Sequence, residues 1–265
     1  MDEGRAVAGA IDTHVHLNHP RLMRRLPEVL ARAREAGVSE MIVVGYDVPS
    51  SRRAVELAEG HRQLWAAVGV HPHDAAGFDE ESVAALRALA RADKVVAVGE
   101  TGLDFYRDLS PRTAQQEAFE RHLALAAEFD LPVIVHCRDA QDSVLEALGS
   151  WARPGVVWHC FDGTAEQAKR ALALGLVLGF GGPLTYRKAE DLHRVATDAP
   201  EERILLETDC PYLAPEGRRN RDNEPANVVM IAESLAALRG ESRAQVEQMT
   251  AENARRVFRL RRKGA

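Results

Sequence analysis

The most constraining feature of this sequence is a repeated unit: a short apolar run, a polar or glycine-rich turn, then a helical pattern. Such alternation is typical of a parallel sheet with crossover helices. Most runs are apolar at nearly every position, as expected for strands covered on both faces. Eight runs are predicted as strands: Gly9–Asp12, Glu40–Gly45, Leu64–Val70, Val95–Gly99, Pro132–Val135, Val156–Trp158, Leu176–Gly179 and Ile204–Glu207. Eight units predict an α/β fold, a closed TIM-type (β/α)8 barrel, and the 265 residues suit a single domain over residues 1–265.

In three of the segments outside the predicted strands, capping residues or apolar stripes predict helices. The segment Pro111–Phe129 follows Ser110, which we expect to be its N-cap, and carries an apolar stripe that includes His122. A second helix is predicted over Thr164–Leu174. The segment Ser242–Leu260 predicts two further helices, and we expect its last apolar residues to pack on the barrel: Val257, Phe258 and Leu260.

Charge and cysteine content narrow the class of protein. The net charge of -6 argues against binding of nucleic acid through the overall charge of the protein. Bound cations can nevertheless supply positive charge locally. Three widely spaced cysteines form neither a disulfide framework nor a CxxC zinc motif, which favours a reduced, cytoplasmic protein. The first ten residues do not resemble a signal peptide, and no run approaches the length of a membrane span.

Metal-capable side chains follow or end five of the predicted strands. In a β/α barrel the carboxyl ends of the strands converge on one face, where active sites lie. Six such side chains on one face predict a metal centre, formed by His14, His16, Glu100, His136, His159 and Asp209.

The spacing of the first pair indicates how one cation would be held. Side chains alternate in direction along a strand, so His14 and His16 point the same way while Val15 turns away. The two imidazoles can bind one cation. Asp209 can complete that site, and we expect it to be the catalytic base that takes a proton from the attacking water.

A second cation is expected on the other side of Glu100. This carboxylate can bridge two cations with its two oxygens, and His136 and His159 can serve the second one. A cation with an open position lowers the pKa of bound water from about 15.7 to about 7. Two cations about 3.5–4 Å apart can stabilise both the attacking and the leaving oxygen, which suits phosphodiester hydrolysis.

Each of these residues also has a structural interpretation when it is taken alone. A histidine after an apolar run, such as His136 or His159, is more often a hydrogen-bonded core residue. Glu100 can begin a helix or form a salt bridge, and Asp209 can initiate a turn. The prediction of a metal centre therefore depends on their joint occurrence at converging strand ends.

Several longer stretches of the sequence surround these single residues. They resemble TatD-type metallohydrolases from about residue 10 to residue 260. The strings are DTHVHL (12–17), VGVHPHD (68–74), VGETGLDFYRD (98–108), QQEAFERHLALAAEFDLPVIVHCRDA (115–140), WHCFDG (158–163), LGFGGPLTYRK (178–188), LLETDCPYLAP (205–215), NEPANV (223–228) and ENARRVF (252–258).

The resemblance implies a TIM-type barrel, in agreement with the count of strands and helices. It implies a metal-dependent deoxyribonuclease, often a 3′–5′ exonuclease on single-stranded DNA. The six residues proposed above fall on the metal-ligand positions of the family, with Glu100 at the bridging position, and all six are intact. We therefore expect two divalent cations (Mg, Mn or Zn), a DNA substrate, no membrane partner and a monomer.

Three residues in or beside the ligand motifs are candidates for substrate binding: Asp104, Arg107 and Arg138. An arginine near two cations suits phosphate because its planar fork can bond two oxygens. The competing interpretation is a salt bridge with a neighbouring acid, Asp108 or Asp139.

Other side chains near the expected site keep two interpretations. His71 ends the third strand and can contact substrate or form a hydrogen bond at the barrel rim. Phe161 and Tyr186 can stack on bases, whereas Phe180 is expected to pack in the core. Each of the three cysteines follows a proposed ligand, and we expect small buried side chains there, with a thiolate ligand as the less favoured alternative. The segment 217–228 is longer than the usual stretch of the family and carries Arg218, Arg219 and Arg221, which can contact a phosphate backbone or form a solvated loop.

Two other functions are compatible with this sequence. Related barrels with an HxH opening hydrolyse amides, lactones or phosphotriesters, and many bridge their cations with a carboxylated lysine. Glu100 takes that place here, which favours the TatD-type chemistry but leaves carboxyl esters, including aminoacyl-tRNA, as an alternative. A non-catalytic metal-binding scaffold is the third possibility.

Overall fold

The computed structural model describes residues 9–151 and 155–260. Its sheet has eight parallel strands in the sequential order β1 to β8. The strands are β1 (Ala10–Val15), β2 (Val38–Val44), β3 (Leu64–Val68), β4 (Val95–Asp104), β5 (Val133–Arg138), β6 (Val156–Trp158), β7 (Val177–Phe180) and β8 (Ile204–Leu206). The predicted (β/α)8 barrel is therefore confirmed. That residues 1–265 form one domain stays a prediction.

Helices connect and cover these strands. In chain order they are α1 (Pro20–Met23), α2 (Leu26–Glu35), α3 (Val48–Gly60), α4 (Glu80–Leu89), α5 (Arg112–Phe129), α6 (Gln141–Ser150), α7 (Ala165–Ala173), α8 (Glu190–Asp198), α9 (Val228–Arg239) and α10 (Arg243–Val257). None of the helices in the described ranges combines the length and apolarity that a membrane crossing needs. The N-terminal segment that bears on a signal peptide lies outside these ranges.

Strand alternation separates two buried layers. Ile42 and Ile134 belong to an inner cluster that fills the barrel, whereas their neighbours Val43 and Val135 pack outward against the helices. The same alternation turns the next inward residue of β5, His136, toward the mouth of the barrel. The bottom is closed by the C-terminal helix, since Phe258, which caps α10, is 2% exposed within the inner cluster. The predicted packing of the last apolar residues on the barrel is confirmed.

The barrel closes where β1 meets β8. Val15 and Cys210 form a parallel bridge, and the backbone N–H of Asp209 donates to the carbonyl of His14 at 2.9 Å. Lower in the seam, the carboxylate of Asp12 accepts the backbone N–H of Thr208 at 2.9 Å. This closure brings residues from both ends of the sequence to one side of the mouth.

Two helical predictions are wrong in detail. The N-cap of α5 is Pro111 and not Ser110. The hydroxyl of Ser110 instead donates to the carbonyl of His73 at 2.7 Å, so it connects the loop before α5 to the short 3₁₀ helix Pro72–Gly77. The segment Ser242–Leu260 contains one helix, not two, since no glycine or proline interrupts it and Ser242 forms a capping box with Gln245.

Candidate metal centre

A cavity of about 1080 Å³ opens at the carboxyl ends of the strands. Nine of the ten predicted site residues line it, while His14 lies fully buried beneath them. The nine are His16, His71, Glu100, Asp104, Arg107, His136, Arg138, His159 and Asp209. The fold thus brings together residues that are far apart in the sequence.

The first group of donors consists of His14, His16 and Asp209. The Nε2 atoms of the two histidines are 3.2 Å apart, and Asp209 Oδ1 lies 3.8 Å from His14 Nε2 and 3.3 Å from His16 Nε2. Two donors of a tetrahedral zinc ion with bonds of about 2.0–2.1 Å are themselves about 3.3 Å apart. The spacing of these side chains therefore fits a divalent cation.

Glu100 lies between this group and the rest of the cluster. Its Oε2 lies 3.4 Å from His14 Nε2 and 3.7 Å from His16 Nε2. Its Oε1 faces the other way and lies 2.9 Å from His136 Nδ1 and 3.8 Å from His159 Nε2. The two oxygens thus address different histidines, as a bridging carboxylate requires.

The histidines group differently from the expected pairing of His136 with His159. His136 forms a group with Glu100 and His71, whose Nε2 lies 3.7 Å from Glu100 Oε1. His159 instead groups with Glu100 and His14, and its ring stacks on that of His14 at a centroid distance of 3.6 Å. The structure therefore places His71 among the metal-capable side chains as well as at the cavity wall.

Outer contacts fix which nitrogen of each ring faces the centre. The Nδ1 of His16 lies 3.0 Å from the carbonyl of Val44, so Nδ1 carries the proton and Nε2 presents its lone pair. In the same way Glu207 Oε1 lies 2.8 Å from Nδ1 of His159. For His136 the order is reversed, because Asp104 Oδ2 lies 3.1 Å from its Nε2 and leaves Nδ1 toward Glu100.

Two of these supporting residues were missed by sequence reasoning. Glu207 ends the predicted eighth strand, and its contact with His159 depends on a neighbour 48 positions away in sequence. His73 lies two residues after His71 and its Nε2 is 2.8 Å from Asp104 Oδ2. The repeated HxH spacing of residues 71–73 is the signal that identifies His73.

The electrostatic environment is that of a cation site. Burial lowers the pKa of His136, but hydrogen bonds with Asp104 and Glu100 outweigh burial and raise that pKa to about 9. Burial likewise opposes protonation of His159, yet the charge of Glu207 raises its pKa to about 10. Burial would raise the pKa of Glu100, but the neighbouring His14 and His71 hold it well below its usual range. Several imidazoles thus sit in a strongly negative potential, which attracts divalent cations that compete with protons.

The other predicted residues have different surroundings. Asp104 is 1% exposed, and its carboxylate also accepts the backbone N–H groups of Tyr106 and Arg107, so these contacts favour a supporting role. The Arg138 guanidinium lies over the Tyr106 ring at 3.9 Å from its centroid. Asp108 pairs with Arg112 at 3.2 Å.

The aromatic and cysteine side chains near the site differ in burial. Phe161 and Phe180 are 2% and 0% exposed, so both pack in the core. Tyr186 is partly exposed and its hydroxyl donates to the carbonyl of Ala214 at 2.9 Å. Cys137 and Cys210 are buried as expected, whereas Cys160 is partly exposed. Both Cys137 and Cys160 line the cavity.

The fold and this cluster of histidines and carboxylates define a β/α-barrel metallohydrolase. The family model described as TatD related DNase matches residues 11–259, and the chain belongs to this family of metal-dependent hydrolases. A relative named 3′-5′ ssDNA/RNA exonuclease TatD, from Edwardsiella piscicida, is 42% identical over 94% of this chain and 99% of its own. An uncharacterized metal-dependent hydrolase of Bacillus subtilis, YabD, is 41% identical over 94% of this chain and 98% of its own. The crystal structure of YjjV, a TatD homologue from Escherichia coli K12, superposes with a TM-score of 0.91 at 32% identity, covering 97% of this chain and 100% of that one.

Proposed function

We propose that this protein is a 3′–5′ exonuclease that hydrolyses phosphodiester bonds of single-stranded DNA with two divalent cations. The observation that carries the proposal is the position of Glu100, whose two oxygens face two different sets of histidines. Relatives about 40% identical over nearly their whole length bear the name of such an exonuclease, which supports the choice of substrate.

In this proposal the protein side chains divide the work between two cation positions. His14, His16 and Asp209 would hold one cation, and His136 would serve the other. His159 would join His136, because its Nε2 faces the same Glu100 oxygen although its ring stacks on His14. Glu100 would offer one oxygen to each cation. When bound, the cations lower the pKa of a coordinated water and neutralise charge that develops on the phosphate. His71, adjacent to Glu100 Oε1, would contact the second cation or the substrate.

Asp209 is proposed as the base that takes the proton of the attacking water. Burial opposes its ionisation, but a hydrogen bond with His16 keeps the pKa of Asp209 below its usual range, so the carboxylate is charged at neutral pH. It lines the cavity, where its side chain can reach water at the bound phosphate. We further propose that the protein acts in the cytoplasm as a monomer, in keeping with three cysteines that form no disulfide among the described residues.

The test is degradation of single-stranded DNA labelled at the 3′ or the 5′ end. Purified protein is incubated with Mg²⁺, Mn²⁺, Zn²⁺ or EDTA, beside the variants Asp209→Asn and Glu100→Gln. We expect shortening from the 3′ end that requires a cation, and a loss of at least about a hundredfold in each variant. Arg187→Gln, an exposed change outside the cavity, is the control for handling and folding.

The opposite result is also informative. If the protein retains bound cations but leaves DNA and RNA intact, phosphodiester hydrolysis is wrong for this member of the family. Carboxyl esters, including aminoacyl-tRNA, then become the substrates to assay, because the same cations can activate water toward a carbonyl carbon.

A further inference from the structure

Two arginine–tyrosine pairs lie at the wall of the cavity. The guanidinium of Arg138 lies 3.9 Å from the centroid of the Tyr106 ring, and that of Arg219 lies 3.7 Å from the centroid of the Tyr186 ring. Both arginines line the cavity. The same arrangement therefore occurs at two places on the cavity wall, once at the end of a strand and once in a loop.

The pairs flank the metal centre. Tyr106 follows β4 and Arg138 ends β5, whereas Tyr186 follows β7 and Arg219 lies in the loop after β8. Because the strands are arranged in sequential order around the barrel, β6 and its ligand His159 lie between the two pairs. A chain that crosses the centre from one pair to the other therefore passes over the metal-capable residues.

The way these arginines are held leaves their charge available. Among the described residues, no carboxylate lies within ion-pair distance of Arg138 or Arg219, unlike Arg21, which pairs with Asp222 at 3.5 Å, and Arg112, which pairs with Asp108. An aromatic face attracts a guanidinium without occupying the in-plane N–H fork. The fork can then bond two oxygens of a phosphate.

The overall charge of the protein favours a role for positively charged groups inside the cavity. With a net charge of -6, which includes the carboxylates of the centre, the protein as a whole repels a polyanion. Arginine side chains inside the cavity offset this repulsion together with bound cations. The cavity volume of about 1080 Å³ exceeds that of a typical small-molecule pocket.

We propose that Arg138 and Arg219 bind two different phosphates of a single-stranded DNA, at least one of them on the 5′ side of the phosphate that is cleaved. Tyr106 and Tyr186 position the two guanidinium planes. This inference rests on the proposed nuclease function and adds to it the path of the strand across the mouth of the barrel, from the β4–β5 side to the β7–β8 side.

The experiment measures KM and kcat for labelled single strands of about 12 nucleotides at several salt concentrations. In Arg138→Gln and in Arg219→Gln, KM is expected to rise about tenfold, with a larger change in KM than in kcat. Each loss of a phosphate contact should also reduce the slope of log(1/KM) against log salt by about 0.7, as expected for a single strand. Arg187→Gln, which removes the same charge beside Tyr186 but outside the cavity, should keep both the KM and the slope of the parent protein.

Two conservative variants test the geometry itself. Arg219→Lys retains the charge, so we expect the salt slope of the parent with a higher KM. Tyr106→Phe retains the aromatic face and should behave as the parent does, whereas Tyr106→Leu should raise KM as Arg138→Gln does. If Tyr106 only stabilised the fold, Tyr106→Leu would not reproduce the change in KM and salt slope that Arg138→Gln causes.

The possible failures can be told apart. If the parent protein degrades single strands but Arg138→Gln and Arg219→Gln match Arg187→Gln in KM and salt slope, the phosphate assignment is wrong and the nuclease function stands. If the parent protein degrades no nucleic acid with any cation, the proposed function fails and the strand path is rejected with it.

Discussion

Glu207 Oε1 lies 2.8 Å from Nδ1 of His159 and also accepts the backbone N–H of Cys160. The carboxylate is 1% exposed, so it acts in a setting with little water. It fixes the ring of His159 with Nε2 toward Glu100. A residue outside the proposed ligand set thus determines how the proposed ligand His159 is oriented.

We expect Glu207→Gln to weaken cation binding about 10- to 100-fold, because the amide oxygen or nitrogen cannot supply the charge that orients His159 and raises its basicity. Competition with a chelating dye measures the affinity. Glu202→Gln, an exposed change just before the same strand, is the control. An unchanged affinity in Glu207→Gln would show that His159 is oriented without its carboxylate partner.

The space that Glu207 occupies depends on Gly179 in β7. A Cβ at position 179 would lie 2.5 Å from Glu207 Oε2 and 2.8 Å from its Cδ. Gly179→Ala should therefore displace the carboxylate and reproduce the loss of cation affinity of Glu207→Gln. Gly149→Ala has no atom within 4 Å of the added methyl group and should leave the affinity unchanged. Equal affinities in the two alanine variants would contradict the steric argument.

Asp104 is expected to hold the proton on Nε2 of His136. Asp104→Asn removes the carboxylate 3.1 Å from that nitrogen, so the pKa of His136, raised to about 9 in the folded protein, should fall. An NMR titration of the metal-free protein measures the ring directly. Asp139→Asn, an exposed neighbour, supplies the control. A His136 pKa that is the same in both variants would assign its elevation to Glu100 alone.

His122 predicts a pH dependence of stability. Burial lowers its pKa from 6.5 to about 4, and its Nε2 accepts the backbone N–H of Val70 at 3.0 Å. Because the unfolded chain binds this proton at higher pH than the folded chain, the contribution to stability is complete above pH 6.5 and is lost as pH falls toward 4. Between pH 7 and pH 5 the loss is about 2 kcal/mol.

In His122→Gln this loss should be absent. Urea unfolding of the parent protein and of His122→Gln at pH 7 and pH 5 measures the change in the free energy of unfolding. The other titrating groups contribute equally to both proteins. The free energies of unfolding should therefore lie closer together at pH 5 than at pH 7. Parallel pH dependences would mean that His122 has the same pKa in the folded and the unfolded chain.

The bottom of the barrel offers a test of stability away from the cavity. Phe258 is 2% exposed in the inner cluster, so Phe258→Ala should lower the free energy of unfolding by about 3–5 kcal/mol. Leu174→Ala, at a side chain that is 43% exposed, should change it by less than about 0.5 kcal/mol. Chemical denaturation followed by circular dichroism measures both. A small loss of unfolding free energy in Phe258→Ala would mean that the Phe258 side chain contributes little to the packing at the bottom of the barrel.

The features of the site that follow from a single local rule, such as the alternation of side chains along a strand, could be predicted from the sequence. Alternation along β1 predicted that His14 and His16 face the same way, and their Nε2 atoms are 3.2 Å apart. The grouping of His136 with His71 was not predictable, because it depends on ring orientations set by Asp104 and Glu100. The N-cap of α5 was missed for a similar reason, since the hydroxyl of Ser110 has a partner 37 residues away.

The seam between β1 and β8 has a consequence for biosynthesis. Asp12 and Thr208, whose contact closes the barrel, are 196 residues apart, and the adjacent His14 and Asp209 belong to one donor group. A nascent chain therefore lacks this group until its eighth strand has left the ribosome. Because these residues would hold a cation only after translation, such a cation would stabilise only chains in which the first and last strands have paired.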